Sequence, residues 1–253
     1  MTITLIGSGN AATVLGHRFK DAGHTIKQVL SPNNAAVLAQ ELDAEAIKTP
    51  AQLTEADFYL IAVTDRTVEA LGATLHLKDA LVAHTAGSLP LRTLHKVSTR
   101  YGVFYPLQSL RKGVNPKEIP LLIDGADEQT ATTLTNLAHT ISTTVTRTTD
   151  QDRLFFHVGA VVVNNFPNYL YTLTELYLRD KGLDWRILLP LLTETIARLY
   201  TEDPAQMQTG PAVRDDGVTI EKHTRLLQGY PELQAWYERF SSEIRHSLAI
   251  SRH

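Results

Sequence analysis

Apolar and polar positions alternate between two kinds of segment along the first 148 residues. Short runs of four to seven apolar or β-branched residues predict strands at 2–6, 24–30, 57–63, 80–84 and 102–106. Weaker strand patterns fall at 46–48, 120–123 and 143–146. Between them, helical spacing covers 12–19, 35–42, 67–75 and 128–139, with Val14, Leu15 and Phe19 as the buried face of the first. Strands alternating with helices, and strands that read as continuous apolar runs, predict a doubly wound, mostly parallel α/β sheet. Asp65 is the expected cap of the helix after the 57–63 strand, and Asn33 and Asn34 the caps of the one after Leu30.

From Asp150 the period changes and no strand pattern competes. One long helix is expected from Asp150 or Asp152 to about Arg179, with a kink or break near Phe166 because Pro167 lies inside it. Asp184 caps a second helix to about Tyr200, with Pro190 in its first turn or at a kink. Further helices are expected at 219–227 and 232–250. The chain therefore divides into an α/β domain, 1–148, and an all-helical domain, 149–253.

The first strand runs straight into Gly7-Ser8-Gly9-Asn10-Ala11-Ala12 and then a helix. This is the G-x-G-x-x-A fingerprint of dinucleotide binding in its proper strand–turn–helix setting. Gly7 permits the tight turn, Gly9 leaves room for a pyrophosphate, and Ala12 lets helix and strand approach. The N–H groups of the helix's first turn then face the anion. An acidic residue at the end of the second strand would bind the ribose hydroxyls of NAD. The chain offers Leu30, Ser31, Asn33 and Asn34 there, with no carboxylate and no arginine. That leans toward NADP, with NAD still open. Strand ends on the ligand edge of such a sheet place Val63, Thr64, His84 and Thr85 toward the cofactor.

Composition removes several function classes. Among 253 residues, 24 basic and 27 acidic side chains give a net charge of −3, with no basic excess to suit nucleic acid. No cysteine is present, so thiol catalysis, thiolate metal sites and disulfides are excluded. Histidines 157 and 223 lack the clustered spacing of a metal site, and no metal is expected. Apolar stretches such as 158–163 are too short to span a bilayer, and no leader pattern precedes the first strand. The expectation is a soluble cytoplasmic protein acting on a small molecule, without nucleic-acid or membrane partners.

Candidate chemistry lies on strand ends, on the long helix and in one loop. His84 is a candidate acid–base group, or else a packing histidine at its strand end. His157, Asn164 and Asn168, seven and four residues apart, would share one helical face and could orient a substrate; the alternative for Asn164 is a bond that fixes the domain interface. In the polar loop 207–216, Arg214 beside Asp215 suits an anionic substrate group, or else a surface turn. No obvious lysine or tyrosine proton donor is visible, which keeps open a nucleotide-binding sensor or scaffold without turnover.

Five blocks taken together, Gly7–Ala12, His84-Thr85-Ala86-Gly87-Ser88, Phe104-Tyr105-Pro106-Leu107-Gln108-Ser109, Val163-Asn164-Asn165-Phe166-Pro167-Asn168 and Gln208-Thr209-Gly210-Pro211-Ala212-Val213-Arg214, resemble the DUF2520 group of Rossmann-like oxidoreductases over the whole chain. Ala86 stands where many relatives have serine, and 214–217 read Arg-Asp-Asp-Gly where relatives often have Arg-Gly-Asp. The group is similar to coenzyme-F420-dependent NADP oxidoreductases, pyrroline-5-carboxylate reductase and the 6-phosphogluconate dehydrogenase superfamily. The resemblance implies hydride transfer between a nicotinamide cofactor and a small polar metabolite, with a helical domain that closes over the nicotinamide and builds a homodimer. A deazaflavin or flavin hydride partner is a further implication of that analogy.

Overall fold

A computed structural model describes residues 1–250. It contains one eight-stranded sheet, in the order β3-β2-β1-β4-β5-β6-β7-β8. The strands are β1 (Thr2–Ile6), β2 (Thr25–Leu30), β3 (Glu45–Ile47), β4 (Phe58–Ile61), β5 (Leu81–His84), β6 (Tyr101–Pro106), β7 (Leu121–Gly125) and β8 (Val145–Arg147). Neighbours pair in parallel except β6 with β7, which are antiparallel. The chain leaves β1 toward β2 and β3, then crosses back to β4 on the other side. The carboxyl ends of β1 and β4 thus meet where the strand order reverses, the point at which open α/β sheets bind ligands.

Period-two alternation explains why the central strands read as unbroken apolar runs. Ile3, Leu5, Phe58 and Leu60 belong to one buried layer, while Ile6, Tyr59 and Ile61 belong to the other. The first layer packs on α1 (Asn10–Asp21) and α4 (Glu128–His139) and holds Phe19, Phe58 and Phe104 with ring centroids 5.7–6.3 Å apart. The second is covered by α3 (Asp65–Thr74) and the short helix Leu91–Leu94, through Val68 and Leu94. Helix α2 is Ala35–Glu41.

Several boundaries differ from the sequence expectation for local reasons. Thr64, not Asp65, stands at the N-cap of α3, and Asp65 accepts a hydrogen bond from Ser88 Oγ instead. Asn34 occupies the N-cap of α2 without a side-chain bond to it. Helix α5 (Asp150–Ala160) is capped by Thr149, whose hydroxyl and Asp152 form a reciprocal capping box. The expected break before Pro167 takes the form of a π-helical turn, Val161–Asn165, ahead of α6 (Phe166–Asp180), so the proline sits in the first turn of a new helix.

The chain separates into two compact units, 1–163 and 164–253, so α5 groups with the sheet rather than with the helices that follow. Local bonds explain this. Leu91 N–H donates to Asp150 Oδ1 at 2.8 Å, and the Arg153 guanidinium donates to the Leu89 carbonyl, both on the loop after β5. The second unit holds α6, the turn Trp185–Leu188 capped by Asp184, α7 (Leu189–Arg198) with Pro190 in its first turn, α8 (Gly217–Leu226) and α9 (Pro231–Ile250). No helix among the described residues is long and apolar enough to cross a membrane.

Candidate cofactor cleft and the site beside it

The glycine turn forms because nothing but glycine fits it. Gly7 has φ +125°, and a Cβ there would lie 2.2 Å from the carbonyl oxygen of Ala62, the residue after β4. Its N–H donates to the Leu30 carbonyl at 2.8 Å, which ties the end of β1 to that of β2, while the Ala62 N–H donates to the Ile6 carbonyl at 2.8 Å from the end of β4. Gly9 is different: a Cβ there would meet no atom within 4 Å, because that face opens onto a cleft. Gly9 is also the N-cap of α1 and offers no side-chain acceptor, so the first N–H groups of a twelve-residue helix stay free for an anion. Ala12 is fully buried behind this turn, and α1 also packs tightly at Gly16, where a Cβ would come within 2.8 Å of Leu5 and Leu42.

The cleft has a volume of about 630 Å³. Gly7, Ser8, Gly9, Asn10 and Ala11 form its floor, with Val63 and Thr64 from the end of β4 and Thr85 from the end of β5. Ser31 closes the opposite end, where it accepts a 2.9 Å hydrogen bond from Ser8 Oγ. Asn33 is exposed and not part of the wall. Sequence reasoning missed Lys48, which joins Ser31 and Pro32 at that end because β3 pairs with β2 and delivers the residue after Ile47 there. Its distance of seventeen residues from Ser31 hides this in the sequence; only the pairing reveals it. Lys48 forms no ion pair among the described residues.

Beyond Thr85 lies a second polar cluster. His84 is completely buried, its Nδ1 accepts the Ala86 N–H at 3.2 Å, and its Nε2 has no partner within hydrogen-bond geometry among the described residues. Burial, reinforced by the Arg153 guanidinium, pushes its pKa down to about 4; the Pro90 carbonyl, Asp150 and Asp65 oppose this more weakly. Such an imidazole is neutral at neutral pH and closed to solvent. Arg153 is itself 1% exposed and held by the Leu89 carbonyl and Asp150. His157, half-buried on α5, meets a residue that sequence reasoning did not select: Tyr105 Oη lies 2.9 Å from His157 Nδ1. Burial raises the pKa of that phenol, so it keeps its proton.

Other sequence candidates fall elsewhere. Asn164 and Arg214 lie in the second unit and are exposed. The π-helical turn between His157 and Asn164 breaks the α period, so their seven-residue spacing no longer implies a shared face. Asp215 pairs with Arg245 at 3.3 Å rather than with Arg214. His223 Nδ1 lies 2.8 Å from Tyr237 Oη. No group of three or more potential metal ligands occurs among the described residues.

Comparison with known proteins agrees with this geometry. The family model "NADP oxidoreductase coenzyme F420-dependent" matches residues 2–86, and the DUF2520 domain of unknown function matches residues 119–244. A Bacteroides fragilis protein, BF3122, provisionally named an NADP oxidoreductase, is 34% identical, with 97% of this chain and 98% of that one covered and a TM-score of 0.89. The chain belongs to this family of Rossmann-fold NAD(P)-binding oxidoreductases. Two further solved structures share the fold at lower identity. Protein TM1727 of Thermotoga maritima is 22% identical over 96% of this chain and 98% of that one, with a TM-score of 0.78. The imine reductase of Myxococcus stipitatus, solved in complex with NADP+, is 15% identical over 99% and 95%, with a TM-score of 0.68. No curated protein matches the chain.

Proposed function

We propose that this oxidoreductase binds NADP in the cleft and exchanges hydride between the nicotinamide and a small polar metabolite. One observation carries the reading: a glycine-lined helix N-terminus opens onto a cleft whose far end presents Ser31 and Lys48 and no carboxylate. The pyrophosphate fits the open face of Gly9 and the free N–H groups of α1. Ser31 and the Lys48 ammonium suit a ribose 2′-phosphate, because a point charge and a hydroxyl stabilise a dianion that Asp or Glu would repel. Val63, Thr64 and Thr85 then line the nicotinamide half. Bound there, the nicotinamide supplies a two-electron hydride donor or acceptor.

His84 takes a positioning part in this scheme: neutral and buried, it holds the turn that carries Thr85 rather than exchanging protons with substrate. His157 takes the polar role facing chemistry. Asn164 and Arg214 stand as groups for holding a polar or anionic substrate. The protein works as a homodimer through its helices, because Leu154, Phe155, Phe156 and Val158 on α5, with Phe166 and Tyr169 on α6, are each at least 45% exposed in a single chain.

Fluorescence titration with NADPH and NADH tests the cofactor reading. NADPH binds the wild-type protein more tightly. Lys48→Ala weakens NADPH about tenfold or more and leaves NADH within a factor of two, as loss of a charged hydrogen bond to the 2′-phosphate requires. Equal losses for both cofactors would overturn the NADP assignment. Failure of both to bind would overturn hydride chemistry and leave the glycine turn as a structural inheritance.

A further inference from the structure

We infer that Tyr105 and His157 form a proton-delivery pair beside the nicotinamide end of the cleft, with Tyr105 Oη as the donor to the substrate. The inference rests on the cofactor reading above and adds the group that completes the reaction.

The geometry begins at Gly87. Thr85 lines the end of the cleft remote from Ser31 and Lys48, and two residues later Gly87 is packed directly against both rings. A Cβ on Gly87 would stand 2.9 Å from His157 Nδ1 and 2.9 Å from Tyr105 Cζ. A side chain there would drive the two apart. The rings meet edge to face with centroids 6.0 Å apart, and Tyr105 Oη lies 2.9 Å from Nδ1. Tyr105 projects from β6 and His157 from α5, so two separate elements converge on one hydrogen bond. Neither ring is sealed from solvent, in contrast to His84 and Arg153.

The direction of that bond depends on the imidazole. Without a proton on Nδ1, His157 accepts there and the phenol proton points at it. With a proton on Nδ1, His157 donates to Tyr105 Oη, which frees the phenol O–H to point elsewhere. The pair is thus armed by a proton on His157. In a reduction, a hydride supplied by bound NADPH would form the new C–H bond. The π pair of the acceptor's C=O or C=N moves onto oxygen or nitrogen and takes the proton from Tyr105 Oη. The Nδ1–H of His157 restores that proton, and water recharges the imidazole. One substrate double bond is reduced and one proton is consumed from solvent. The charged groups around the pair are Arg153, which lowers the phenol's pKa, Asp65, which raises it, and Asp150, which pairs with Arg153; buried His84 is neutral.

The test uses tyrosine labelled with 13C at Cζ, the Tyr105 signal being assigned by its loss in Tyr105→Phe. NADP+ is compared with 2′-phosphoadenosine diphosphoribose, which lacks only the nicotinamide. NADP+ is expected to shift the Tyr105 signal saturably, while the truncated ligand binds and leaves it in place. His157→Gln should also move the Tyr105 signal without loss of NADP+ binding. If NADP+ binds and Tyr105 does not respond, the pair is structural and this inference falls while the cofactor reading stands. If neither ligand binds, both fall together. With 2-methyl-1-pyrroline and NADPH, Tyr105→Phe should lower kcat at least a hundredfold at unchanged NADPH affinity; wild-type turnover by that variant would overturn the assignment. Where the wild-type protein does not reduce this acceptor, the NMR comparison decides alone.

Discussion

Replacing His84 by glutamine should flatten the acid side of the stability profile. His84 is completely buried, its Nδ1 holds the Ala86 N–H, and burial with nearby Arg153 lowers its pKa from 6.5 to about 4. Protonation would remove that acceptor and place a second cation beside the guanidinium. A lowered folded-state pKa means that the unfolded chain binds the proton more tightly. The contribution to stability is therefore complete above about pH 6.5 and is lost as pH falls toward about 4. At about 1.4 kcal/mol per pKa unit, the full span is about 3 kcal/mol. Roughly 2 kcal/mol of this develops between about pH 7.5 and about pH 5, before most carboxylates titrate. Glutamine has similar reach, its amide oxygen can accept the same N–H, and it carries no proton in this range. Urea unfolding of both proteins at matched concentration, followed across that window, gives the comparison. The wild type should lose about 2 kcal/mol that the variant keeps. The same slope in both would mean that His84 is hydrated or paired when charged, and the argument from burial would be wrong.

The two glycines of the turn should fail in opposite ways. Gly7→Ala meets the Ala62 carbonyl and a positive φ, so it should lower stability by about 2 kcal/mol or more in thermal unfolding. Gly9→Ala meets no atom and should melt within about 0.5 kcal/mol of the wild type, yet bind NADPH at least tenfold more weakly. Glu118 accepts hydrogen bonds from Ser142 Oγ and from the Thr143 and Thr144 N–H groups, which hold its pKa down to about 2. Its stabilising effect is present above about pH 4.5 and is lost as pH falls toward about 2. Glu118→Gln should therefore lose less stability than the wild type across that interval. Phe155→Glu, at a residue 63% exposed on α5, should convert a dimer to a monomer in light scattering while far-UV circular dichroism is unchanged.

Local pattern alone determined most of the first unit. The strand runs, the helices between them and the glycine turn follow from period, β-branching and the steric freedom of glycine, which act over a few residues. The mostly parallel sheet and the floor of the cleft, Gly7 to Ala11, were legible for that reason. Helix ends were less so, because caps depend on which hydroxyl or carboxylate wins: Thr149 took the place expected of Asp150 or Asp152. Four features needed the tertiary structure. Strand pairing, not sequence distance, carried Lys48 to Ser31. Burial in the centre of the fold leaves His84 neutral, with its Nδ1 on the Ala86 N–H. A π-helical turn shifted the phase between His157 and Asn164, which no apolar period reveals. Tyr105 sits on a strand fifty-two residues before His157 and looked like one more strand aromatic. Only the packing of β6, α5 and Gly87 makes the two a pair, since a hydrogen bond between distant elements has no signature in the sequence of either.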